Sequence, residues 1–74
     1  MKYQTIISVP SNYTTYEIDT ELKRLDFLYP AIIGQEIRLN CEGENYKVKV
    51  VNVEDSIYED IIFRYVEVVV IKNI

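Results

Sequence analysis

The chain predicts a β-dominated α+β domain with element order β-α-β-β-β. The strands form either a small curved antiparallel sheet or an SH3-like barrel, with one helix. Three observations lead there. Ile61 to Ile71 is a near-continuous run of β-branched and aromatic residues, interrupted only by Arg64 and Glu67, so it reads as a strand near the middle of a sheet. Glu36 to Cys41 and Tyr46 to Val53 both alternate apolar with polar residues around a glycine turn. Ile18, Leu22, Leu25 and Leu28 recur at helical spacing between two turn-rich stretches.

The length of 74 residues sets one domain, spanning 1–74. Surface scaling for this size leaves roughly 63% of the unfolded chain's surface buried, which is a thin margin. A single cysteine, Cys41, cannot make an internal disulfide, and without histidine there is no ordinary zinc site. Packing must therefore supply the stability, with homo-oligomerisation as the remaining aid. A lone cysteine fits a reducing compartment, so the expected location is cytoplasmic. No segment approaches the ~20 apolar residues of a membrane span, and the first residues lack the apolar core of a signal peptide. Asn12-Tyr13-Thr14 matches a glycosylation sequon, which has no meaning without secretion.

Along the chain, Lys2 to Val9 alternates, with Tyr3, Thr5, Ile7 and Val9 on one side, and stops at Pro10-Ser11-Asn12. Thr14 and Glu17 have the spacing of a capping box, which opens a helix over roughly residues 17–28. Pro30 ends it by forcing the preceding residue out of the α region. A competing reading keeps Tyr13 to Ile18 extended and starts the helix at Asp19. Ala31 to Gly34 is an apolar connector. Gly43-Glu44 suits the centre of a type II′ turn, which sets Cys41 opposite Tyr46 and Arg38 opposite Lys49. Two adjacent apolar residues, Val50 and Val51, signal a bulge or a face switch. Glu54-Asp55-Ser56 and Glu59-Asp60 read as a polar link into the last strand.

Chemistry-bearing groups are sparse. Cys41 has no histidine to activate it and takes an inward position, so it reads as a small buried hydrophobe. The acidic residues Glu54, Asp55, Glu59 and Asp60 lack the glycine and ligand alternation of a calcium loop and read as a solvated acidic surface. No catalytic residues, cofactor or metal are expected, and the chain is not read as an enzyme.

Binding groups are easier to place. Arg38, Lys47 and Lys49 share the outward face of the central hairpin, where like charges opposite one another are mildly destabilising. Glu36 or Glu67 are the acids that could neutralise them. Seven tyrosines supply bulk with a polar tip. Tyr13, Tyr16 and Tyr58 lie in or beside loops and are the binding candidates, whereas Tyr3, Tyr29, Tyr46 and Tyr65 read as core.

These features point to a small acidic protein-binding module. The composition is of the kind found in accessory and inhibitor proteins of phages and mobile elements, and the partner protein is unspecified. The main alternative is a small barrel that binds nucleic acid through Arg38, Lys47 and Lys49. A further alternative is an acidic mimic of nucleic acid. A net charge of −4 disfavours nucleic acid as a partner and gives no attraction to an anionic membrane.

Overall fold

The computed structural model describes residues 1–10 and 20–73. Five strands follow in order: β1 (Lys2–Val9), β2 (Thr20–Leu25), β3 (Glu36–Cys41), β4 (Glu44–Tyr58) and β5 (Ile61–Asn73). They form one sheet in the order β2-β1-β5-β4-β3. The apolar run of β5 occupies the centre, as its composition requires. Its neighbour β1 runs parallel to it, and every other pairing is antiparallel, so the sheet is mixed rather than purely antiparallel.

The expected helix is not there. Thr20 to Leu25 is strand β2, Asp26 to Leu28 follow it as irregular chain, and the proposed helix start, with Thr14 and Glu17, lies outside the described residues. The reason is a bulge. Ile7 pairs with Lys23 and Ser8 with Glu21, so Leu22 is an extra residue opposite the β1 ladder. One inserted residue brings Leu22 and Leu25, three apart, onto the same side, where both pack against the core. A bulged strand thus imitates the spacing of a helix.

The first hairpin also differs from expectation. Its turn is Glu42-Gly43, both with positive φ (52° and 82°), which is the type I′ pattern. Cys41 therefore faces Glu44, and Arg38 faces Lys47. Moving the turn by one residue shifts every pair by two, so each side chain keeps its face. The observed register sets Glu36 opposite Lys49 and lets Asn40 and Asn45 bond side chain to side chain at 3.0 Å. Glu54, Asp55 and Ser56 belong to β4, and the link to β5 is only the turn Glu59-Asp60.

One face of the sheet is the core. Ile7, Val9, Leu39, Val48, Val50, Val66 and Val68 are buried there together with Thr5. Each such aliphatic side chain contributes roughly 1.5–3 kcal/mol of transfer free energy. A flat sheet would leave this face wet. The strands instead curl into a half-barrel, and bulges in β2, β4 and β5 sharpen the bend. The curl brings the two edge strands together: Lys23 Nζ of β2 donates to Asn40 O of β3 at 3.1 Å, and Cys41 Sγ donates to Leu22 O. Side chains, not a backbone ladder, span that seam.

The segment between β2 and β3 lines the other end of the trough. Fully buried Thr5 anchors it, its Oγ1 donating to Phe27 O (2.6 Å) and accepting from Tyr29 N (2.9 Å). Gly34, at φ 92°, then donates to Val50 O, and Val50 N donates to Gln35 O, which extends the β3–β4 ladder by one residue. There the ladder stops.

Candidate functional site

Two surfaces that carry charge or exposed apolar groups lie on β4. The first is the convex face near the Glu42-Gly43 turn. Arg38 sits opposite Lys47, and Lys47 sits opposite Lys72 on β5, so a row of cations crosses three strands. Lys49 is one step along. Sequence reasoning had found Arg38, Lys47 and Lys49 but missed Lys72, because the β4–β5 register depends on a bulge at Ile71 that no local pattern announces. Glu36 partly neutralises the row: it is paired with Lys49 in the ladder and accepts from Lys47 Nζ at 3.0 Å. Glu67 plays no such part; its Oε1 accepts from Asn52 Nδ2 at 2.9 Å.

The second surface is the far end of the β4–β5 hairpin, which overshoots β3. The tip turns through Glu59, at φ 56°, and Asp60. Glu54, Asp55, Glu59 and Asp60, expected to form an acidic surface, are all exposed and gathered at this end. Asp55 lies opposite Arg64 and receives two bonds from it, Nε to Oδ1 at 2.7 Å and Nη2 to Oδ2 at 2.9 Å. Those bonds hold the Asp55 carboxyl below the usual carboxylate range and raise the Arg64 guanidinium above its ordinary value. Arg64 Nη1 also donates to Tyr29 O at 3.0 Å, which ties the trough-lining segment to the hairpin. Among the described residues, Glu54, Glu59 and Asp60 have no cationic partner.

Large apolar side chains are exposed at the same end: Ile57 is 69% and Tyr58 66% accessible. Ile32 (68%) and Ile33 (63%) are also exposed, in the segment before Gly34, which bonds to Val50. Tyr58 was expected as a binding residue. Ile57 was not, because a bulky aliphatic residue in a β-rich run reads as core until the strand is seen to overshoot its neighbour. Tyr3 and Tyr65, expected in the core, are both exposed: Tyr3 on the open part of β1, Tyr65 on the convex face beside Phe63, with ring centroids 6.2 Å apart. Tyr13 and Tyr16 lie outside the described residues.

The direction of the β4 backbone here follows from the turn. Tyr58 and Ile61 close a two-residue hairpin, and such a pair exchanges both backbone bonds. By strand alternation Ser56, Glu54 and Asn52 also face β5. The N–H and C=O groups of Val53, Asp55 and Ile57 therefore point the other way, where β3 has already ended, and no described residue bonds to them.

Cys41 is half-buried rather than fully inward, held by its bond to Leu22 O. One shallow depression, about 290 Å³, lies beside the start of β1 and is lined by Met1, Lys2, Tyr3, Gln4 and Asp26. Among the described residues no three histidine, cysteine, aspartate or glutamate side chains converge as metal ligands. No helix among them is long and apolar enough to cross a membrane. No family model, curated protein or solved structure matches the chain.

Proposed function

We propose that this chain is a non-enzymatic protein-binding module and that it docks through the hairpin end of its sheet. The observation that carries this reading is the exposure, at that end, of two bulky apolar side chains, Ile57 and Tyr58, beside Glu54, Glu59 and Asp60, which have no cationic partner among the described residues. Exposed apolar side chains gathered in one place are the usual mark of a contact surface, and a charged rim supplies orientation. A role as an accessory or inhibitor protein in the cytoplasm fits the same reading.

The nucleic-acid reading rests on the convex row of Arg38, Lys47, Lys49 and Lys72. Its charge is reduced by Glu36, and the aromatic pair Phe63–Tyr65 that would stack on bases is apart from it, with Glu54 directly opposite Tyr65. A polyanion crossing from one to the other meets repulsion.

Two double variants separate these readings. Affinity capture from the native host should lose its bound protein with Ile57→Glu/Tyr58→Glu and keep it with Lys47→Glu/Lys49→Glu. If oligonucleotide binding appears instead, falls steeply with salt and is lost in the lysine variant, the convex row is the site.

A further inference from the structure

We propose that the outer edge of β4, from Val53 to Ile57, is a strand-acceptor site that adds an extended, basic, amphipathic segment of another protein to this sheet. The inference rests on the protein-binding reading above and names how the partner is held.

An edge strand with free N–H and C=O groups is a template for another strand, and proteins that do not use such an edge usually blunt it. The β2 and β3 edges are bridged to each other through Lys23–Asn40 and Cys41–Leu22. The other stretches with a single neighbour among the described residues, Lys2–Gln4 of β1 and Val69–Asn73 of β5, each carry a lysine. The β4 edge has neither device. No lysine, proline or bulge lies between Asn52 and Tyr58, and the groups of Val53, Asp55 and Ile57 point outward.

The side chains specify the guest. Val53, Asp55 and Ile57 share the concave side, where Asp55 is already occupied by Arg64 and the rest is apolar. Asn52, Glu54, Ser56 and Tyr58 share the convex side, whose one charge is the unpaired Glu54, with Glu59 and Asp60 at the tip. A complementary strand therefore alternates: apolar residues toward Val53 and Ile57, basic residues toward Glu54 and the tip. A second copy of this chain fits poorly. Two-fold antiparallel pairing centred on this edge sets Asp55 of one copy against Asp55 of the other, and like charges directly opposite are destabilising.

The probe is a peptide alternating valine with lysine, of about the length of the open edge, titrated against the full chain. Saturable binding is expected, with the largest amide shifts at Val53, Asp55 and Ile57. Ile57→Pro should weaken it at least tenfold, and Ile57→Ala much less, because proline removes an outward N–H to which no described residue bonds. A peptide N-methylated at alternate residues should fail equally, which repeats the test without altering the protein. A peptide with glutamate for lysine should not bind. Equal binding by the proline variant or the N-methylated peptide overturns edge pairing, and Ile57→Glu/Tyr58→Glu then reports separately on side-chain docking at this end. Slow hydrogen exchange at Val53, Asp55 and Ile57 in the free chain also overturns it. Protection lost on dilution means the occupant is a second copy, and protection at every dilution means the chain covers its own edge.

Discussion

The two halves of β4 contain the same kinds of residue and meet opposite fates. Val48 and Val50 have no accessible surface, whereas Ile57 and Tyr58 are more than half exposed. Val48, Val50 and Ile57 all point to the concave side of the strand. What differs is the neighbourhood: the first half is flanked by both β3 and β5 and roofed by the curl of the sheet, the second, among the described residues, by β5 alone. Burial here is set by how far the neighbouring strand extends, not by the hydrophobicity of the residue. Stability and recognition are thereby divided along one strand, and changes at one end should leave the other nearly untouched.

The largest effect should come from the closed half. Val66→Ala removes two methyl groups from a fully buried site and should lower unfolding free energy by roughly 2–3 kcal/mol. Denaturant melts of Val66→Ala and Ile57→Ala, compared directly, would break the contrast if the two losses were similar. Next is Thr5→Val, which strips Tyr29 N–H of its acceptor and Phe27 O of its donor. That should cost about 1–3 kcal/mol and free the segment that lines the trough, visible as faster exchange at Tyr29.

The ion pair between Asp55 and Arg64 should give a smaller, pH-dependent term. The folded-state pKa of Asp55 is depressed, so its stabilisation is fully present above the unfolded carboxylate value of ~3.9 and is lost as pH falls through the lower folded value. Because Asp55 is nearly half exposed, solvent screens the pair and the effect is modest. Stability profiles of wild type and Asp55→Asn should converge at the acid end; curves that stay parallel there would remove the pair from the account. The smallest effect belongs to Ile57→Pro, whose N–H has no ladder bond to lose. A shift within about 0.5 kcal/mol is expected for so exposed a position, and a cooperative loss of fold would show that this edge is not free.

Much of the sheet was legible in the residues. The alternation in Lys2–Val9, Glu36–Cys41 and Tyr46–Val53, the central place of the last strand and the bulge at Val50-Val51 all follow from period and β-propensity. Leu22 and Leu25 misled because a bulge converts strand period into something close to helix period. The hairpin turn was placed one residue late because a single glycine serves equally as the second residue of a type I′ turn or the first of a type II′. The acidic half of the candidate site was visible as a charge run. Its apolar part, Ile57, was hidden, because exposure depends on where β3 ends, which is a long-range fact.

The pairing of β1 with β5 has a kinetic consequence. Lys2 aligns with Ile61, so strands nearly the whole chain apart in sequence are immediate neighbours at the heart of the sheet. Closing so long a loop is entropically slow, and parallel pairing cannot be nucleated by a tight turn. The β3–β4–β5 meander needs only two short turns and is the natural first unit to form. Until β1 arrives, β5 lacks a neighbour on one side and carries an unpaired run of valine and isoleucine, the most aggregation-prone stretch of the chain. Of the five strands β1 is synthesised first and waits longest, because its central partner, β5, is the last of the five.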